Sequence, residues 1–397
     1  MTVTLIGLGC GTEDTLTRAT QDALRRAEYI VGAKRLLRDL PGGCTLNRDA
    51  ATKPDAILAL LQASGRADCC VVYSGDTGFY SGTRSLLPLL EQVGIEVRIL
   101  PGISSVQYLA ARLGRPWQDW TLCSAHGVDC DAVRAVCGGR DAFFLTGGTL
   151  GPGDLCRQLD DAGLGQLPVT VGENLSYPEE TLFTGTAAEF AGRAFASLSV
   201  LLAGAAPTAP RRTPGIPDEE WLRGDVPMSK QEVRAAALAK LAVGPEDVCW
   251  DVGAGTGSVS VELALQAKEV WAVEPKPKAL ELVRANREKF CAWNLHIVEG
   301  AAPEALHGLP RPDAVFVGGS GGQLPAILRT VQAANPDARV CAAVISLENL
   351  HTAVTTFAEL GREAEVTQIS VSRTRTVAGL HMLMGQNPIF LVTEVRP

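Results

Sequence analysis

The 397-residue chain contains no apolar run near the roughly 18–20 residues that cross a bilayer, so no membrane anchor is expected. It starts MTVTLIGLGCG, with no basic stretch ahead of an apolar one, and passes straight into patterned sequence. No signal peptide is expected, and the protein is expected to be cytoplasmic. Histidine is scarce: there are five, none spaced as HExxH. The 11 cysteines are odd in number and scattered; Cys69 and Cys70 are adjacent and no pair has CxxC spacing. Reduced thiols are therefore expected, with no metal site. Basic charge is in deficit, 36 Lys and Arg against 44 Asp and Glu, and aromatics are only 5%. No nucleic-acid partner is expected, because phosphates call for a basic face. An anionic small molecule stays compatible, since a few arginines can hold carboxylates in an acidic protein.

What is present is an ordinary globular composition, 46% hydrophobic, at a length that suits two or three domains. Short apolar runs ending in turn residues (VTLIGLG, EYIVGA, CCVVYSG, EVRILPG, AFFLTGG, LSVLLAG) alternate with amphipathic stretches such as TRSLLPLLEQVG and DLCRQLDDAG, the latter a helix ending at Gly163. That rhythm predicts α/β architecture with functional loops at the carboxyl ends of strands. It breaks at GAAPTAPRRTPGIPDEEW, whose prolines cannot continue either element. The expected division is a first domain over 1–204, with halves of about 1–113 and 114–204, a linker over 205–217, and a second domain over 218–397. In the second, SKQEVRAAALAKLAVG predicts a helix capped by Ser229 and stopped by Gly244. Strands follow at VCWDVGAG, EVWAVEP, HIVEG, DAVFVGG and ARVCAAVIS. EVTQISVSRT and MLMGQNPIFLVTEV predict a closing antiparallel pair.

In DVGAGTGSVSVELA, Asp251 ends a strand, glycines stand at 253, 255 and 257, and a helix opens near Ser258. Glycines let the backbone turn tightly and approach a ligand, and a helix start offers free N–H groups. Glu274 ends the next strand, where an acid accepts hydrogen bonds from ribose hydroxyls. A dinucleotide and S-adenosylmethionine both fit those features. The D-x-G-x-G-x-G form, in place of G-x-G-x-x-G, resembles the Rossmann-like (class I) S-adenosylmethionine methyltransferases. Together GIPDEEW, SKQEVR, DVGAGTG, GAAPEAL and DAVFVGGSGG resemble the decarboxylating precorrin methyltransferases of cobalamin biosynthesis. The resemblance implies that Ser229, Gly253, Ala254, Gly255, Thr256 and Gly257 touch the donor's methionine portion, that Glu274 holds the ribose, and that Ala302 lies near adenine. Ala301 stands where that family often has Asp. Gly319, Ser320 and Gly321, with Gly318 and Gly322, would border the substrate mouth.

At the front, LIGLGCGTEDTLT also ends a strand in close glycines, yet no acid ends the next strand-like run, so a Rossmann reading fails there. With YSGDTGFYSG, LPGISSVQ and CSAHG it resembles the tetrapyrrole methylase family (class III methyltransferases), whose fold holds folded S-adenosylmethionine between two α/β halves. Ser74, Gly75, Asp76, Phe79, Ser104, Ser105 and Thr146 are then the implied cofactor residues. Cys10, Thr12 and Thr77 stand where the family usually has Pro, Asp and Pro. GENLSYPEE resembles the members that methylate carbon 5 of the precorrin ring, which implies substrate contacts at Asn174 and Tyr177.

Two unrelated methyltransferase folds on one chain suggest two methylations of one substrate. The resemblances imply methylation of a reduced precorrin-6 at carbons 5 and 15 with loss of the ring C acetate carboxyl, giving precorrin-8X, and one S-adenosylmethionine site per domain. Carbon 5 falls to the first domain, carbon 15 and decarboxylation to the second. No catalytic nucleophile is needed, because an electron-rich ring carbon attacks the sulfonium methyl and alignment supplies rate. Arg373 and Arg375 are candidate partners for substrate carboxylates, ahead of His381. Both families commonly self-associate, so a homo-oligomer is expected. Methylation at other ring positions and a non-catalytic tetrapyrrole carrier remain alternatives; an RNA methyltransferase is disfavoured by the acidic balance.

Overall fold

A computed structural model describes residues 1–208 and 213–395. The chain divides into two compact units, Met1–Ala206 and Pro207–Pro397. Of the expected linker, positions 209–212 lie outside the described residues, as do 396 and 397 of the expected second domain.

The first unit opens with a five-stranded sheet of β1 (Thr2–Gly7), β2 (Tyr29–Gly32), β3 (Arg48–Ala50), β4 (Asp68–Tyr73) and β5 (Glu96–Leu100), ordered β3-β2-β4-β1-β5. Every pairing is parallel. β1, β2 and β4 are nearly continuous apolar runs because helices cover both faces of a parallel sheet. The short β3, sequence Arg-Asp-Ala, carries no such signal and escapes sequence reading. At the carboxyl ends of β1, β4 and β5 three backbones converge. A Cβ on Gly102 would lie 2.3 Å from the Gly75 carbonyl oxygen and 2.6 Å from that of Gly7. Only glycine fits such an approach.

A second sheet comprises β6 (Thr121–Ser124), β7 (Ala142–Leu145), β8 (Pro168–Glu173), β9 (Thr181–Thr186) and β10 (Ser199–Ala203), ordered β6-β7-β10-β8-β9. Only β6 and β7 run parallel. The helix Pro152–Leu159 runs on through a wider turn in which Gly163 takes φ +83°, so the chain leaves the helical path at that glycine.

The second unit holds seven strands around one sheet: β11 (Val248–Val252), β12 (Glu269–Glu274), β13 (Leu295–Glu299), β14 (Ala314–Val317), β15 (Arg339–Val344), β16 (Ala364–Ile369) and, after a hairpin of β17 (Ser372–Val377) and β18 (Leu380–Gly385), β19 (Ile389–Glu394). Their order is β13-β12-β11-β14-β15-β19-β16. The first five are parallel; β19 runs antiparallel to both neighbours. Strand order reverses at β11, which opens a ligand crevice beyond its carboxyl end. The closing stretches form two antiparallel pairs where sequence predicted one: β16 with β19, and the hairpin between them.

Three local expectations need correction. Ser229 does not cap the helix, which spans Gln231–Leu241 with Lys230 at its N-cap. The Asp218 carboxylate accepts the Gln231 N–H at 2.9 Å and does the capping from a distance in sequence. Gly244 does not stop that helix; Ala242 takes the left-handed conformation, φ 46°, one residue after its end. The expected linker is also docked at its far end. Gly215 and Ile216 donate N–H bonds of 2.7 and 3.0 Å to the Glu262 carboxylate.

That docking centres on Arg234, a fully buried guanidinium. It meets Glu262 at 2.7 Å and Asp218 at 3.0 Å, reaches the carbonyls of Ser229 and Ile216, and lies 5.1 Å from the Trp221 ring centroid. Removing one member of a buried pair strands the others without water. Arg234→Ala should therefore destabilise the second unit by about 3–5 kcal/mol. Urea unfolding of the full chain should show it, and a loss below about 1 kcal/mol would mean that the network is not holding this segment.

Candidate functional site

In the first unit a cavity of about 450 Å³ opens where the two sheets' loops meet. Its walls include Ser74, Gly75, Asp76 and Phe79 after β4, Ser104 and Ser105, Thr146 after β7, and Asn174 and Tyr177 after β8. The sequence-predicted residues of this unit are thus brought to one cavity. Their side chains mostly serve the cradle itself. Asp76 accepts N–H bonds from Gly78 at 2.8 Å and Gly102 at 3.1 Å, tying two loops together. Ser104 caps the helix Ser105–Leu113 in a capping box with Gln107. Thr146 donates its hydroxyl to the Ser199 carbonyl at 2.5 Å. At these loops the cavity is offered backbone groups and small side chains, and elsewhere larger ones such as Tyr73, Phe79, Tyr80 and Tyr177.

The GENLSYPEE loop is shaped under strain. Asn174 and Ser176 take left-handed φ of 48° and 74°. Glu180 holds the turn, accepting from Ser176 N–H at 2.8 Å and from Arg112 Nε at 2.5 Å. The loop is fastened to the first glycine loop by the Thr12 hydroxyl, which donates to Ser176 Oγ at 3.1 Å. Cys10 lines the cavity, but burial pushes its thiol up to about 12, so it stays protonated and is no nucleophile. Arg35 and His126 also line the cavity and were missed. Arg35 sits in AKRLLR, which reads as an ordinary amphipathic turn. His126 lay inside the quoted CSAHG but carried no spacing signal of its own.

In the second unit Gly253, Gly255 and Gly257 all take left-handed φ, between 58° and 76°. A Cβ on Gly253 would meet the Gly319 carbonyl oxygen at 2.4 Å, so the loops after β11 and β14 touch backbone to backbone. Gly255 faces Val226 and Pro227 of the segment that leads to Ser229. Glu274, buried at the end of β12, accepts N–H bonds from Gly255 at 2.9 Å and Lys276 at 3.0 Å. Gly300 donates to the Glu274 carbonyl at 3.2 Å, which sets Ala301 and Ala302 beyond the same strand ends. Ala254 and Thr256 lie within the loop, and the buried Thr256 hydroxyl has no hydrogen-bond partner among the described residues. Ser320 and Gly321 follow β14 in an open loop.

Two sequence expectations fare differently in this unit. Asp251 lies at the end of β11 as expected, one residue before its last; it is 1% exposed, and one oxygen takes the Ser260 hydroxyl while the other has no partner among the described residues. Arg373 is engaged inside the unit, with Glu232 at 2.9 Å and Asp218 at 3.2 Å, whereas Arg375 lies exposed on the β17–β18 hairpin with His381 opposite Thr376. The structure does not bring Arg373 or Arg375 to the glycine loop through any recorded bond.

Burial pushes the Asp251 carboxyl up to about 7, opposed by the Ser260 hydrogen bond and reinforced by the nearby Glu274 charge. A raised native value means that the folded state holds the proton more tightly. Stability from this group is full below the unfolded value near 4 and is lost as pH climbs through about 7. Asp251→Asn removes that dependence. Wild-type stability should fall by a few kcal/mol relative to Asp251→Asn between pH 4 and 8, measured by urea unfolding; parallel curves would refute it.

Comparison with known proteins adds five findings. A family model described as "Tetrapyrrole (Corrin/Porphyrin) Methylases" matches residues 2–191, and one described as "Precorrin methyltransferase domain" matches residues 220–396. A Sinorhizobium protein named precorrin-6Y C(5,15)-methyltransferase [decarboxylating] is 32% identical over 330 residues, 82% of this chain and 78% of that protein. A Pyrobaculum calidifontis protein named as a probable cobalt-precorrin-6B C(15)-methyltransferase (decarboxylating) is 44% identical over 191 residues, 47% of this chain and 98% of its own length. The crystal structure of precorrin-6y C5,15-methyltransferase from Geobacter metallireducens is 35% identical, covers 47% of this chain and 100% of that one, and gives a TM-score of 0.45.

Proposed function

The chain belongs to the precorrin-6Y C(5,15)-methyltransferase (decarboxylating) family, and from that premise we propose how its two units divide the work. The enzyme is a bifunctional decarboxylating C-methyltransferase of cobalamin biosynthesis. The first unit methylates carbon 5 of a reduced precorrin-6; the second methylates carbon 15 and releases the ring C acetate carboxyl as carbon dioxide, giving precorrin-8X. The observation that supports this reading is that each unit builds its own glycine-loop site at the carboxyl ends of its parallel strands. One is the first unit's cavity; the other is the left-handed glycine run beside Glu274.

Each cradle suits S-adenosylmethionine, which when bound supplies the electrophilic methyl group. In the first unit Ser74, Gly75, Asp76, Phe79, Ser104, Ser105 and Thr146 would hold it. In the second, the loop 253–257, Ser229, Glu274 and Ala302 would. The Thr256 hydroxyl, without a partner among the described residues, is the polar group of that cradle left for a ligand, since the N–H groups of Gly253, Gly255 and Gly257 are bonded within the protein. The chain's part is to align donor and ring carbon and to exclude water, which can contribute about 7–11 kcal/mol. Asn174 and Tyr177 would face the ring in the first unit, and Gly319, Ser320 and Gly321 in the second, where the exposed Arg375 is freer than the ion-paired Arg373 to meet a substrate carboxylate.

Full-length enzyme, reduced precorrin-6 and labelled S-adenosylmethionine should give a product with two methyls gained and one carboxyl lost. Ser105→Trp, which fills the first cavity, should leave a product methylated only at carbon 15 and decarboxylated. Glu274→Gln should leave one methylated only at carbon 5. If either variant loses both methylations together, or neither, the division fails; mass spectrometry with fragmentation decides.

The expected self-association has support in the β17–β18 hairpin, which exposes Leu380 at 70% and Leu383 at 73% beside Val377, Met382 and Met384. Apolar side chains grouped on one projecting ribbon favour a second copy as cover. Leu380→Glu with Leu383→Glu should shift the full chain to a smaller species by light scattering, with its fold intact by circular dichroism. An unchanged mass would remove the hairpin from the interface.

A further inference from the structure

We propose that Arg35 and Tyr177 form a two-donor clamp for one peripheral carboxylate of the tetrapyrrole. This deepens the reading of the first unit as the carbon-5 site and rests on it. Both side chains line the first unit's cavity. Arg35 Nη1 donates to the Tyr177 phenol oxygen at 3.0 Å, the one hydrogen bond its guanidinium makes among the described residues. Asp39, one turn on, feels the Arg35 charge but takes its N–H bonds from Arg38, at 2.8 and 3.3 Å. Among the described residues no ion pair is formed by Arg35. A half-buried guanidinium with five donors is thus spent on one neutral acceptor at the wall of a largely apolar cavity.

Because Arg35 fills a lone pair of the phenol oxygen, the Tyr177 hydroxyl proton is free to point elsewhere. The remaining Arg35 N–H groups and that O–H form a fork suited to a planar carboxylate, the geometry in which Arg surpasses Lys. The fork stands at the glycine loop. A Cβ on Gly11 would come within 2.1 Å of the Tyr177 oxygen. The neighbouring position is Thr12, whose hydroxyl bonds Ser176; Glu13 follows it, and no ion pair joins Glu13 to Arg35 among the described residues.

The test uses full-length enzyme and reduced precorrin-6, with carbon-5 methylation read by mass spectrometry. Arg35→Gln should raise the precorrin KM about ten- to hundredfold, and Tyr177→Phe by less, with S-adenosylmethionine affinity within about twofold of wild type. Arg35→Lys should recover part of the loss. The decisive arm is precorrin whose side-chain carboxylates have been amidated: wild type and Arg35→Gln should then bind it equally, measured by fluorescence quenching. If Arg35→Gln still binds the amidated ring more weakly than wild type does, Arg35 acts through the fold and the clamp is rejected. If KM is unchanged with native substrate, the clamp is rejected as well. Wild-type enzyme that places no methyl on carbon 5 would instead refute the carbon-5 reading, separately from the clamp.

Discussion

Backbone meeting backbone, closer than any side chain allows, is the constraint on which both units depend. In the first, Gly7, Gly75 and Gly102 bring the ends of β1, β4 and β5 into contact. In the second, Gly253 and Gly319 do the same for β11 and β14. The carboxyl ends of parallel strands are where loops can be aimed at a ligand, and glycine lets those loops converge without intervening side chains. Peptide groups so arranged are fixed at folding and need little reorganisation when a donor arrives. A transfer whose rate comes from alignment profits from that rigidity.

The side chains around these loops act mainly on the protein itself. Asp76 bridges two loops, Ser104 caps a helix, and Glu274 accepts from Gly255 and Lys276. Arg234 gathers Asp218, Glu262 and two carbonyls so that the segment opening the second unit lies against the helices Gln231–Leu241 and Ser258–Ala264. Chemistry is left to the bound donor and an electron-rich ring, which agrees with a cavity thiol kept protonated at Cys10 and with the absence of HExxH or CxxC spacing in the sequence.

Much of the fold was legible because buried parallel strands write long apolar runs: β1, β4, β11 and β14 are all read directly from VTLIG, CCVV, VCWDV and AVFV. β3 and β9 were not, being a three-residue edge and a polar-rich edge strand whose pairing is decided by neighbours. The Ser229 cap failed for the same reason. A capping residue is recognised in sequence when it is local, and here the cap is Asp218, thirteen positions away along the chain. At the site, loop motifs located the cavity wall around Ser74–Phe79 and Asn174–Tyr177. Arg35 stayed hidden because a lone arginine on a helical turn reads as solvated until the wall behind it is known.

Gly11 and Tyr177 illustrate how far such a contact reaches. With φ of +108° and a phenol oxygen where its side chain would be, position 11 is closed to every larger residue while the tyrosine stands. The two positions, 166 residues apart in sequence, therefore constitute one heritable unit. Bulk at position 11 would have to meet two demands together, displacement of the aromatic ring and a left-handed φ that larger residues rarely adopt, so neither change alone opens the glycine loop.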